Sequence, residues 1–276
     1  MRKLILVITL LLFITELKAQ EIEAFSKKGY KGKVFLYWGW NRDGFSKSNI
    51  HFKGDDYDFT LKKVVAHDKP SEYSAVEYIN PTDVTIPQYN YRVGYYFTDK
   101  YSLSFGFDHM KYVMTQDQVV TIDGKIANSY TSFDGVYNNE DIVLTENFLM
   151  LEHTDGLNYL NLELRRHERL WNYRKIGLDF IGGIGAGMMV PRTDATLLGK
   201  RRHDEFHIAG YGLDALVGLK AQLGNTLFIQ TEFKGGFINM PDIRTTYSTS
   251  DKASQNFFFS QLNFVFGAEF GLFGGR

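Results

Sequence analysis

Cysteine is absent from this 276-residue chain. That excludes disulfides and any lipid anchor built on an N-terminal cysteine. Charge is nearly balanced, with a formal net of -1, so nothing in it argues for nucleic acid or for a strongly anionic partner. Long apolar runs are missing as well. Only Leu4 to Ile14 is continuous, short of the ~18–20 residues that a membrane-spanning helix needs. Proline is scarce, at 5 residues.

The one apolar run follows Arg2 and Lys3 and leads into a polar stretch ending Leu17-Lys18-Ala19-Gln20. This is the pattern of a secretory signal peptide, with cleavage expected near Ala19 or Gln20. Residues 1–20 are then a leader, and 21–276 form one domain. What the chain has in quantity is aromatics, at 16%, and glycine, at 26 residues. That mixture suits many strands and tight turns.

Alternation of apolar and polar residues marks eight strands: Val34 to Asn41, Gln88 to Phe97, Tyr101 to Tyr112, Leu157 to Arg166, Ile176 to Val190, His207 to Ala221, Leu227 to Asn239 and Phe258 to Leu272. In the last, Phe258, Leu262, Phe264, Phe266, Phe270 and Leu272 share one face, while Gln261, Asn263 and Glu269 share the other. Three connections are short: "TDK", "HERLWNY" and "QLGN". They alternate with four long ones, at about residues 42–87, 113–156, 191–206 and 240–256. Short turns alternating with long loops are what an outer-membrane barrel shows, with the turns periplasmic and the loops extracellular.

A soluble calyx would share the alternation with its faces reversed. The polar faces argue against it, because strands five and six carry glycine at nearly every other polar position. Solvent does not limit side-chain size; the interior of a narrow barrel does. The fold class expected is therefore all-β, an eight-stranded antiparallel transmembrane β-barrel. The leader, the eight strands and the terminal "FVFGAEFGLF" resemble the small outer-membrane barrels of the OmpA/OmpX type. Gly267, Phe270 and Leu272 resemble the terminal signal read by the outer-membrane assembly machinery, and the chain ends in Gly-Gly-Arg where those proteins often end in Phe. The resemblance implies outer membrane lipid, lipopolysaccharide and that machinery as partners.

The inward faces hold Arg92, Arg165, Lys220 and Lys234 with Asp108, Glu163, Asp179, Asp214, Glu232 and Glu269. Buried charges demand partners, so a packed ion-pair network is expected in place of an aqueous channel. Of the seven histidines, His167 falls in a short turn, and the other six fall in long loops or at strand ends. Solvent-exposed histidines are expected there, with no metal site and no cofactor.

"EHTDGLNY", residues 152–159, is the densest cluster of chemistry-bearing side chains. His153 and Asp155 lie there at the loop end of the barrel. Asp108 and His109 come from the third strand, and Arg192 and Asp194 from the end of the fifth. Together they could orient a base and hold a phosphate. "HTDG" weakly resembles the His-x-Ser-Asn stretch of PagL-type lipid A deacylases. Asp155 stands where that family has its nucleophilic serine, Gly156 replaces the Asn, and Thr154 is out of register. The alternative is structural, with Asp155-Gly156 as a turn entering the strand.

The loops "SNIHFKGDDYDFTLKKVV" and "QDQVVTIDGKIANSY" also alternate, and "IDGK" carries a hairpin signal. They imply a raised extracellular sheet whose edge can meet an extracellular protein or glycan. Surface interaction or envelope integrity is the leading functional expectation. Lipid modification at the rim is the second.

Overall fold

The computed structural model describes residues 29–72, 88–203 and 205–271. The leader with its cleavage site, and Leu272, lie outside these residues. In chain order the strands are β1 (Lys33–Phe45), β2 (Ser48–Lys53), β3 (Tyr57–Val64), β4 (Ala66–Asp68), β5 (Tyr89–Tyr96), β6 (Tyr101–Met114), β7 (Val119–Ile126) and β8 (Gly135–Val143). They continue with β9 (Leu149–Tyr173), β10 (Ile176–Pro191), β11 (Asp194–Leu197), β12 (Lys200–His203), β13 (Gly210–Leu223), β14 (Leu227–Arg244) and β15 (Lys252–Gly271).

Eight of them form an antiparallel ring in the order β1-β5-β6-β9-β10-β13-β14-β15. The ring closes through β1 and β15, in unbroken register from Lys33 opposite Gly271 to Phe45 opposite Phe259. These are the eight strands that the alternation marks, with the expected short–long order of connections. Closure removes the sheet edges and pairs the backbone groups along the wall.

The connections depart from expectation in detail. "HERLWNY" is not a turn: β9 runs through it, and Tyr173 pairs with Ile176 across Arg174 and Lys175. Arg174 takes φ +52°, as a tight hairpin demands. His167 is therefore a buried strand residue, with Nε2 2.9 Å from Ser102 Oγ. "IDGK" is not a hairpin either. It lies inside β7, where Gly124 (φ +131°) pairs with Tyr137 beside a bulge of β8 that sets Asn138 and Asn139 opposite Asp123. The missing Cβ of Gly124 leaves room for the Asp58 carbonyl of β3.

At the long-loop end the ring continues as sheet. β2 pairs with the start of β15, and the order β15-β2-β3-β7-β8 leaves β8 as the outermost strand. The β11–β12 hairpin pairs with the start of β9, and β4 pairs with the end of β6. The polarity of the wall inverts along its height. In the lower ring, outward positions are large, apolar and exposed, such as Leu162, Ile184, Val217, Phe233 and Phe264, and inward positions are polar. Above it the inward positions turn apolar: Met110, Tyr112 and Met114 on β6, Ile238 and Met240 on β14, Phe257 and Phe259 on β15. These pack with Phe52, Phe59, Ile122 and Phe148 from the loop strands into one core. A second small cluster, Phe35, Tyr37, Tyr96, Phe228 and Val265, fills the interior near the short turns.

Candidate functional site

The segment Glu152–Tyr159 lies wholly within β9. Val113 and Tyr112 of β6 pair with Glu152 and His153, and Met110 pairs with Leu157. Three residues, Thr154, Asp155 and Gly156, thus stand opposite the single Lys111. The expected turn at a loop-to-strand junction is instead a bulge inside a continuous strand. Gly156 adopts φ +134°, and an added Cβ would lie 2.5 Å from the Asn158 amide. Its carbonyl accepts from the Arg192 backbone NH at 2.9 Å.

The bulge sends neighbouring side chains in different directions. His153 turns inward and is fully buried, its Nδ1 3.0 Å from Thr193 Oγ1 and its ring 5.6 Å from that of Tyr112. Burial first, and then the nearby His207, push its pKa down to about 3. The imidazole is therefore neutral at physiological pH, and its Nε2 has no hydrogen-bond partner. Asp155 stays at the surface in an ion pair with Arg192, at 3.4 Å. Thr154 Oγ1 donates to Glu152 at 3.1 Å. The Arg192 guanidinium also lies over the Phe206 ring.

The other three candidates are held elsewhere. His109 places Nδ1 2.8 Å from Asn158 Oδ1 and stacks on Tyr89 with centroids 5.0 Å apart. Asp108, next in sequence, points to the opposite face and lies 2.5 Å from Lys234 Nζ inside the barrel. Asp194 pairs with Arg201 at 3.6 Å on the β11–β12 hairpin. Of the six, Asp155 and Arg192 meet directly, and the rest are distributed over the inner and outer faces of the wall. His109 and His153 are also buried, where exposed histidines were expected. Tyr89, Phe107 and Asn158 of the neighbouring ring strands pack on His109, and Thr193 and Tyr112 pack on His153; the sequence does not show which side chains meet across strands.

The interior polar residues behave as one unit. Arg92 bridges to Glu163 at 2.7 Å, and Arg165 to Glu163 at 2.6 Å and Glu232 at 2.5 Å. Lys234 also reaches Glu163, at 2.8 Å, and Tyr159 OH donates to Asp214 at 2.7 Å. Nearer the short turns, Lys220 lies 3.1 Å from Glu269 and 3.6 Å from Asp179. All ten charged residues placed on the inward faces by alternation are therefore engaged. Glycine makes the room: a Cβ on Gly185 would stand 2.5 Å from Asp214 Oδ2, and one on Gly106 2.2 Å from the Arg92 guanidinium. Arg92, Arg165, Lys220 and Lys234 are among the largest fully buried side chains. They fill the lumen.

A further polar layer caps this network toward the long loops, and alternation did not single it out. Asn90 Nδ2 donates to Asp108 at 2.7 Å and to Gln261 at 3.0 Å, and Asn41 donates to Asn90. Gln88 Nε2 lies 2.7 Å from both Asp43 Oδ2 and Asp68 Oδ1. Asn41 and Asp43 share the inward parity of β1, so continuing the alternation two residues past Asn41 locates Asp43. Asp68 had no such signal, because it arrives on the short loop strand β4.

No protein-family model matches the sequence. No curated protein matches it. Solved structures similar to this chain include the outer membrane protein OprG from Pseudomonas aeruginosa, at 12% identity over 88% of this chain and 97% of that one, with a TM-score of 0.41. The outer membrane protein AlkL in DMPC lipid bilayers aligns at 11% identity over 90% and 95%, with a TM-score of 0.40. Ail, the attachment invasion locus protein of Yersinia pestis, aligns at 12% identity over 87% and 99%, with a TM-score of 0.35.

Proposed function

We propose that the protein is an integral outer-membrane barrel that acts by surface recognition through its raised sheet, and neither by conduction nor by catalysis. The observation that carries this is the reversed polarity of the lower ring. Ile184 is 64% exposed and Phe258 66%, while Arg92 and Lys234 on the inward faces are 0% exposed. In water such an arrangement would expose its oily surface and bury its charges; in a bilayer both faces are satisfied. Aromatic side chains flank the band at both ends: Trp38, Trp40, Tyr89 and Tyr211 toward the long loops, and Tyr95, Tyr101 and Tyr173 toward the short turns. Tyr and Trp favour those interfaces.

A tilted strand crosses the hydrocarbon in about 9–11 residues. The 25 residues of β9 are far longer, so the loop sheet stands clear of the headgroups. Its outermost strand β8 is exposed along most of its length and ends the pairing order. Such an edge supports recognition of another extended chain. The rim gives the lipid-modifying reading less support. His153 is sealed beneath the loops, and the one hydroxyl at its ring nitrogen, that of Thr193, is equally buried.

Because the chain has no cysteine, single-cysteine labelling tests the topology directly. Tyr130→Cys, on the loop side, is expected to react with a membrane-impermeant maleimide on intact cells. Asn225→Cys, in a short turn, should react only after the outer membrane is opened. Labelling of both on intact cells, or release of the protein without detergent, would sink the proposal. Replacing residues 119–143 by a short turn should leave heat-modifiable migration intact and abolish surface binding. Binding that survives the replacement would move recognition off this sheet.

A further inference from the structure

Three oxygens converge on a single atom at the top of the barrel interior. Gln88 Nε2 lies 2.7 Å from Asp43 Oδ2, 2.7 Å from Asp68 Oδ1 and 3.2 Å from Asn41 Oδ1. An amide nitrogen has two hydrogens, so one of the three oxygens is left without a proton. The other amide atom, Gln88 Oε1, has no partner although the side chain is fully buried. Asp43 Oδ1 faces Nε2 of the fully buried Gln261 without a well-formed hydrogen bond between them. Buried polar atoms are thus poorly satisfied around one pair of carboxylates.

Charge balance points the same way. The loop-side half of the interior holds Arg92, Arg165 and Lys234 against Asp108, Glu163, Glu232, Asp214, Asp43 and Asp68. Among the described residues, three buried cations face six carboxyls there. The first three acids make ion pairs with those cations; Asp43 and Asp68 instead share a neutral amide. Arg42, whose charge reaches Asp68, donates from its guanidinium to the Asn41 carbonyl at 2.7 Å. Asp43 and Asp68 lie close enough to repel each other, and their partial burial makes that repulsion costly.

We propose that this mouth is a binding site for a hard divalent cation of the Ca²⁺ class, held by Asp43 and Asp68. Turning the Gln88 amide by half a rotation exchanges its two atoms, a change that hydrogen-bond chemistry alone decides. It puts the orphaned carbonyl oxygen among the three oxygens. Two carboxylates and two amide oxygens, from Asn41 and Gln88, make an all-oxygen donor set of the type such ions take, with water completing the shell. Among the described residues no three His, Cys, Asp or Glu side chains converge as a metal group; amide oxygens supply the difference here. The Asp43 backbone NH holds Asp68 Oδ2 at 2.9 Å and fixes the second carboxylate toward the first. Asp43 and Asp68 are both half-buried on the loop side, so an ion enters without crossing the filled lumen. The bound ion would tie β4 and its loop to the rim of β1 and β5.

The test uses the full mature chain refolded from inclusion bodies into detergent, which avoids divalent ions carried by lipopolysaccharide. Urea unfolding at pH 7.5 is followed in EDTA and in 1 mM CaCl₂, and Ca²⁺ binding is measured by calorimetry. The expected result is one Ca²⁺ per chain and a higher urea midpoint with Ca²⁺. Asp43→Asn or Asp68→Asn should weaken binding at least tenfold, and the double variant should not respond. Asp58→Asn, on the exposed face of β3, should respond as wild type does. A wild type indifferent to Ca²⁺, or a double variant that still responds, overturns the proposal. So does a wild type indifferent to Ca²⁺ whose stability shifts with pH until Asp68→Asn removes the shift, because the pair would then hold a shared proton.

Discussion

Lys234 carries its ammonium 2.5 Å from Asp108 and 2.8 Å from Glu163, all three fully buried. The pair is a poor source of net stability, since desolvation consumes most of the attraction, but removing one partner leaves the others stranded. Lys234→Met is expected to lower the unfolding free energy by about 3–5 kcal/mol, read as a lower urea midpoint in detergent. A change within error would mean that the interior is wetter than its packing shows. His153 supplies a pH dependence. Its pKa falls from an ordinary value of 6.5 to about 3 in the fold, so below pH 6.5 the unfolded chain binds the extra proton and the folded one does not. Stability from this group is complete above pH 6.5 and is lost as pH falls toward 3, at up to ~1.4 kcal/mol per pH unit. His153→Leu should flatten that decline. A wild type and variant with parallel pH profiles would contradict the buried neutral ring.

At the scale of elements, the bulge in β9 decides the geometry of the rim. Gly156→Ala asks an L-residue to hold φ +134° with its Cβ pressed against Asn158. Strained backbone of this kind costs about 1–3 kcal/mol, and the expected readout is faster hydrogen exchange over residues 152–158 with the lower strands unchanged. Exchange that quickens across the whole ring would make the bulge part of the barrel's cooperative unit. Strand centres were legible in the sequence and strand ends were not, for a reason visible in β9. Its middle, Leu160 to Arg166, lies between polar lumen and oily exterior and alternates cleanly. Past Arg166 the outer face carries Glu168 and Arg166, ion-paired to each other at 2.5 Å. Both faces are then polar and the period of two disappears. The same loss hid the upper ends of β1, β14 and β15, where apolar residues move from the outer face to the inner.

At the scale of the whole molecule, the lumen is closed twice over: by the ion-pair network, and by the aromatic cluster around Phe35, Tyr96 and Phe228. Purified protein in planar bilayers should show no stepwise conductance above the lipid background. Regular single-channel steps would mean that the interior charges part to admit ions. An eight-stranded ring is just wide enough for side chains to fill, and here Arg, Lys and Tyr fill it.

Alternation within single strands determined the number of strands, their inward and outward faces, the alternation of short and long connections, and the ten charged residues of the lumen. Each of these depends on near neighbours in the chain and on the contrast between two environments, so the order of residues carries it. Only the tertiary structure decided that "EHTDGLNY" is a bulge within a long strand, that His153 is covered, and that Asp68 is brought to Asp43. Those outcomes depend on where the loop strands dock. A residue at the rim has the same neighbours in sequence whether a loop covers it or leaves it in solvent.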